Sequence, residues 1–427
     1  MTDLTDLSTV NFFRDPEVAV DPWAYFNFLL ADRPIWIEPK YGVAMVSGWE
    51  EALTVFRDPD TFSSCNLIAG PRPAFPVEIK GQGDDISELI EAHRDVLPQS
   101  DQLVTFDPPK HTAHRSLLMG LITPKRLKEN EEFMWRLTDR QLDAILTMGT
   151  CEFINDFAQP YTLLVIADLL GVPEEDHQML LQSTGIGVLP GDVGGKDLGH
   201  HTLDPLYDYF IERIEQRRAN PQGDVLTGMA EATFPDGSTP DLLDVARIGA
   251  NMFAAGQETT VRLLSACLQI LGDNPELQQQ LRDDRTLIPR FIEESLRLQG
   301  PIKSAFRLVR RSTSVGGVDL PAGTVVLLMN TASGRDPRQF ENPDALWLER
   351  PNSRRHLAFG HGVHTCPGAP LARSEVRIVL ERLFDRTSAI KISEEFHGPA
   401  DARRYEYMPT YLFHGLMKLH VELTPVA

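Results

Sequence analysis

A mainly α-helical chain with small β-sheets is the fold that the sequence predicts. Three observations carry it: apolar residues recur at helical spacing over most of the 427 residues, strand-like pieces are few and short, and 42% hydrophobic against 24% charged residues supply a large buried core. No internal repeat, low-complexity tract or linker rich in Pro, Gly and Ser divides the chain, so residues 1–427 read as a single domain. The formal net charge of −20 argues against nucleic acid or anionic membrane as a general partner. No stretch approaches the ~20 apolar residues of a membrane helix, and Met1–Val10 is polar and acidic, so the expected location is cytoplasmic, without membrane contact. Cys65, Cys151, Cys267 and Cys366 are too far apart for zinc spacing or a disulfide framework, which fits a reducing compartment.

Gly42–Val46 and Gly323–Leu328 are the clearest strands. Two stretches, Asn66–Gln102 and Leu189–His201, mix Pro, Gly and charge between helical segments and predict loops that cover a site or line the surface. A long, largely apolar helix opens at Thr239-Pro240, with a cap followed by proline in the first turn, and runs to about Gly272. Inside it lies Ala255-Gly-Gln-Glu-Thr-Thr260, polar residues where propensity favours leucine or alanine. Buried polar groups destabilise a helix unless they are used. Gly249, Met252, Gly256 and Thr259 share one stripe, and Gly256 is the expected point of closest approach for a flat group. Glu294 and Arg297, three apart, share a helix face, a pairing that any surface helix can carry.

The most informative stretch is Phe359-Gly-His-Gly-Val-His-Thr-Cys-Pro-Gly368, which precedes the helical run Pro370–Phe384. A cysteine at a helix N-terminus meets outward-pointing amides and the favourable end of the dipole, so the Cys366 thiol is expected to ionise easily and to bind a soft metal. Gly360, Gly362 and Gly368 let the loop turn or admit a flat group, and the Phe359 ring shields the sulfur. A lone buried cysteine is usually inert packing; the whole spacing Phe-x-x-Gly-x-x-x-Cys-x-Gly speaks against that here.

That loop closely resembles the cysteine-ligand loop of the cytochrome P-450 family, the haem-thiolate monooxygenases, and Ala369-Pro370-Leu371-Ala372-Arg373 continues the likeness. The resemblance implies the P-450 fold, with haem b buried between the long central helix and the loop, and Cys366 as the axial ligand of the iron. It matches Ala255, Gly256, Glu258 and Thr259 to the family's oxygen-activation motif. Thr259 then serves the bound oxygen, and Glu258 relays the protons that O–O cleavage requires. His111 and Arg115 match the family's His-x-x-x-Arg helix, Arg307 the arginine that follows Glu-x-x-Arg, and His364 the basic residue two places before the cysteine; all four are expected on the haem propionates. His114 and Lys110 are expected at the surface. Glu294, Arg297 and Arg350 match the family's structural ion-pair network. One departure is Gly334 in Ser333-Gly-Arg-Asp-Pro337, where the family usually has asparagine. The likeness runs from about His111 to Gly415.

By the same resemblance the substrate pocket draws on Phe75, Leu103, Met252, Phe253, Ile302, Ala305, Phe306, Tyr411 and Leu412. These mostly apolar side chains suit a hydrophobic terpenoid, aromatic or alicyclic compound. Lys303 is expected to snorkel to the surface in preference to anchoring a carboxylate. With no fused flavin or iron–sulfur segment, electrons are expected from NAD(P)H through a ferredoxin and its reductase, docking on Arg115, Lys125, Arg126 and Arg373. The competing functions are a peroxide-using haem-thiolate enzyme and a non-enzymatic haem-binding sensor.

Overall fold

A computed structural model describes residues 6–73, 75–183, 191–194 and 204–426. Most of the predicted cover at 189–201 lies outside the described residues. The earlier cover, 66–102, is packed: it contains the helix Ser87–Ala92, and Ile86, Ile90 and Leu97 are buried beneath it.

The central helix is Leu242–Asp273. It begins two residues after Pro240, with Asp241 as the cap position in extended conformation, and stops at Asn274 because Pro275 opens the next helix. Apolar residues line it on several sides (Val245, Phe253, Val261, Leu264, Leu268), so neighbouring helices surround it. Gln159–Leu169 and Asp204–Ala219 pack along it, Ile288–Gln299 and Ala369–Arg386 lie toward its other end, and Pro124–Ile145 packs on Ala369–Arg386.

The strands are β1 (Ile35–Ile37), β2 (Ala44–Val46), β3 (Phe62–Ser63), β4 (Thr150–Glu152), β5 (Ala305–Val309), β6 (Thr313–Val315), β7 (Val318–Leu320), β8 (Val325–Leu328), β9 (Thr387–Ile392) and β10 (His420–Pro425). Both predicted strands form, each shortened at its glycine: Gly42 (φ +66°) and Gly323 (φ +87°) take the left-handed turn conformation that leads into β2 and β8. They pair with each other in parallel inside a five-stranded sheet ordered β1-β2-β8-β5-β3. A second sheet, β4-β10-β9, abuts the end of the central helix, where a Cβ on Gly272 would sit 2.6 Å from Ile392 Cδ1.

The largest hydrophobic core surrounds the central helix. A second gathers Phe12, Phe13 and Tyr25 from the N-terminal segment with Phe306, Tyr411 and Leu412. No described helix is long and apolar enough to cross a membrane.

Candidate active site

The loop carrying Cys366 is shaped by its glycines. Gly360 (φ +64°) and Gly362 (φ +71°) are left-handed, and a side chain on Gly362 would overlap the Phe56 carbonyl of the helix Trp49–Arg57. The Cys366 N–H donates to the Phe359 carbonyl at 2.9 Å and closes the loop just before Ala369–Arg386 begins. The sulfur opens onto a cavity lined by Phe359, Ala358, Leu263, Thr259, Ala305 and Arg307. Burial pushes the thiol up, against the pull of the Gly368 and Ala369 amides and of Arg115 and Arg373. The expected easy ionisation is therefore corrected: helix-end amides do not outweigh desolvation here, and a cation on the sulfur is what would deprotonate it.

Opposite the loop, Ala255 is exposed in the middle of the central helix, with Met252, Gly256 and Thr259 half-buried on the same stripe, so this face borders open space. Gly256 has a packing use in addition to the one expected of it. A Cβ there would lie 2.5 Å from Ile166 Cδ1, so the glycine admits the neighbouring helix Gln159–Leu169, and Ala255 is the exposed residue beside it. Thr259 lines the cavity, its Oγ1 donating to the Ala255 carbonyl at 2.9 Å. Glu258 is turned aside and buried, its Oε1 accepting from Arg262 Nε at 2.6 Å.

The basic groups converge as expected. The rings of His111 and His364 stand 4.0 Å apart, and both nitrogens of His111 and Nε2 of His364 are buried without a hydrogen-bond partner. Burial, then Arg115, lowers His111 to about 4; burial, then Arg307, lowers His364 to about 2. Arg307 is itself buried and pushed down to about 10. Arg115 donates to the Thr365 carbonyl at 2.6 Å. The buried Arg307, the half-buried Arg115 and the orphaned ring nitrogens fit the two carboxylates of haem, which would supply the missing acceptors. His114 is not at the surface: it is buried against the Phe106 ring, with Nδ1 on the Lys110 carbonyl and Nε2 3.6 Å from Asp244. Lys110 is exposed, its amine over the Phe106 ring.

Behind the loop, Glu294, Arg297 and Arg350 form the expected network with side chains wholly buried. Arg297 grips Glu294 at 2.7 and 2.9 Å, and Arg350 Nε meets both carboxylate oxygens at 3.1 Å. Their remaining N–H groups reach the carbonyls of Gly334, Glu341, Asn342, Pro343 and Ala345. The departure at Gly334 has its reason here: a Cβ would stand 2.5 Å from the Arg297 carbonyl.

The sequence missed Glu293. It accepts from Arg373 at 2.6 and 3.0 Å and meets His356 at 3.0 Å; against the burial that opposes ionisation, these contacts hold its carboxyl at about 2. Arg373 also stacks on Phe359, 4.6 Å from the ring centre, which ties the cysteine loop to the helix Ile288–Gln299. Its neighbour Glu294 was the only signal in the sequence.

Of the expected pocket residues, Ile302 and Ala305 line the cavity. Phe306 points from the other face of β5 and packs with Phe13 and Tyr411; Leu412 shares that second core, and Phe75 leans on it. Phe253 is fully buried in the main core, which also holds Leu103 and is flanked by Met252. Lys303 does not snorkel: it is buried, donates to the Ala19 carbonyl, and desolvation lowers it to about 7.

A cysteine loop facing an open helix face, with a cationic edge between them, defines a haem-thiolate site. A family profile for Cytochrome P450 matches residues 198–393. Cytochrome P450 144 of Mycobacterium tuberculosis is 31% identical over 400 residues, covering 92% of this chain and 88% of that protein. The substrate-free structure of Mycobacterium marinum cytochrome P450 CYP150A6 is 50% identical, with a TM-score of 0.93 over 99% of this chain and 100% of that one. Bacillus megaterium CYP109E1 in complex with testosterone is 25% identical, with a TM-score of 0.77, covering 94% and 99%. The chain belongs to the cytochrome P450 family. It is a haem-thiolate monooxygenase of the bacterial type.

Proposed function

We propose that this monooxygenase inserts one oxygen atom of O2 into a hydrophobic alicyclic, terpenoid or aromatic substrate, with electrons from NAD(P)H through a ferredoxin and its reductase. The observation that carries the substrate class is the cavity wall, where Leu263, Ile302, Ala305 and Ala358 stand beside the alcohols of Thr259 and Thr260. The testosterone bound to CYP109E1 is an alicyclic compound of that kind. Haem would supply oxygen activation and would be held by Cys366, with His111, Arg115, Arg307 and His364 available to its carboxylates. Thr259 orients its hydroxyl into the cavity, and Glu258 passes protons to that side. Glu294, Arg297 and Arg350 keep the loop in place.

Titrating the ferric protein with terpenes, alkylbenzenes, aromatic acids and steroids tests the substrate class through the Soret band. A low-to-high-spin shift with one apolar class, followed by its oxygenation, is the expected result; a shift only with strongly polar compounds contradicts it. The docking surface for the ferredoxin is Lys125 and Arg126, joined by exposed Arg290 and Arg354. Arg115 and Arg373, partly exposed, stay on this face while also bonding to Thr365 and Glu293. Reversing the charge of Lys125 and Arg126 is expected to slow reduction without changing substrate affinity, which stopped-flow reduction checks. A peroxide-using enzyme is favoured by one observation, the diversion of Glu258 into an ion pair; turnover with peroxide alone and none with NAD(P)H and partners decides for it.

A further inference from the structure

Glu258 and Thr259 are adjacent, yet one faces the cavity and the other does not. The Glu258 and Arg262 side chains are 9% and 8% exposed, and they are four residues apart on the helix. Arg262 does more than pair along its own helix. Its Nη1 donates to the Leu416 carbonyl, in the turn after Tyr411 and Leu412. Gly415 makes room for it: a Cβ there would stand 2.7 Å from Arg262 Cγ and 2.9 Å from its Cβ. The glycine has no left-handed φ to explain it, so close approach by the arginine is its evident use.

We propose that Arg262, braced by the Leu416 carbonyl and accommodated by Gly415, is a positioning residue that parks Glu258 away from the oxygen side of the cavity. Proton delivery to the Thr259 side then requires the carboxylate to leave Arg262. The arginine touches neither substrate nor haem and acts through the carboxylate alone. This deepens the proposed role of Glu258 and rests on it.

Three variants separate the two. Glu258→Gln tests the acid itself: kcat is expected to fall by roughly 10²-fold, as for loss of a general acid. Arg262→Gln and Gly415→Ala test the parking, the second by crowding Arg262 without altering either charge. In the resting ferric holoenzyme, infrared difference spectra assign the carboxylate band by its loss in Glu258→Gln. That band is expected to shift in both Arg262→Gln and Gly415→Ala, with no turnover involved. Under turnover with a substrate that the enzyme oxygenates, the solvent isotope effect on kcat is expected to rise in both, because removing the release step leaves the proton transfer itself to limit the rate. Arg262→Lys, which keeps the charge, is expected to restore the wild-type band position. An unmoved band, or an unchanged isotope effect, in whichever of Arg262→Gln and Gly415→Ala folds overturns the parking while a slow Glu258→Gln leaves the acid in place. Wild-type turnover by Glu258→Gln overturns the acid and the parking together.

Discussion

The two walls of the cavity handle charge in opposite ways. On the cysteine side the two neighbouring carboxylates behind the loop are matched: Glu293 with Arg373 and His356, Glu294 with Arg297 and Arg350. On the central-helix side and along the cationic edge, polar groups are left orphaned, as at His111 and His364, or diverted, as at Glu258. Completed networks fix geometry, because breaking one strands a buried charge. Incomplete ones await a partner or a proton. The cysteine wall is thus a scaffold and the helix wall a working surface.

The largest blow to the scaffold is Arg350→Leu. It leaves the buried Glu294 with one guanidinium fewer and three backbone carbonyls less well served, and a loss of about 3–5 kcal/mol is expected. Chemical denaturation of the ferric protein measures it, and haem loss should accompany it. Next comes acid. The folded-state carboxyl of Glu293 lies at about 2, below its ordinary value of 4.5, so its stabilisation is complete above pH 4.5 and is lost as the pH falls toward 2. The shift corresponds to about 3 kcal/mol. Denaturation midpoints between pH 5 and 2 should therefore fall less steeply in Glu293→Gln than in the wild type.

On the working surface, Thr259→Ala is expected to leave haem binding and stability intact while product formation falls by roughly 10²-fold, with the electrons diverted to peroxide. Equal stability and unchanged product would erase the contrast between the walls. The smallest effect is Gly256→Ala. Crowding against Ile166 Cδ1 opposes a helix-propensity gain of ~1 kcal/mol, so a net change within about 2 kcal/mol is expected, with normal haem content. Adding Ile166→Val should recover the stability. Haem loss that Ile166→Val cannot repair would mean that Gly256 faces the cofactor after all.

Much of this was legible because the signals are local. The loop glycines, the three-residue spacing of Glu294 and Arg297, and the long apolar helix each fix structure within a few turns of chain. What escaped depends on partners far away in sequence. Nothing near Glu258 announces that Arg262 will be braced by Leu416, and nothing near Gly256 announces Ile166. Lys303 lay on the right segment, but its acceptor is the Ala19 carbonyl, 284 residues away. Phe306 was avoidable: successive strand residues face opposite sides, so placing Ala305 and Arg307 at the cavity turns Phe306 from it. Tyr411 and Leu412 belong to a core built on the N-terminal hundred residues, where the motif signal was weakest.

The stretch from Gly334 to Ala345 is gripped through its carbonyls by two guanidinium groups, and only some of its side chains, such as Asp336, Arg338 and buried Phe340, are held as well. Recognition of backbone is blind to residue identity but strict about count. The exposed position Glu341 should therefore accept almost any replacement, whereas a single inserted or deleted residue would slide the carbonyls out of register. Natural variation in this segment should be generous in spelling at its unpaired exposed positions and intolerant of length.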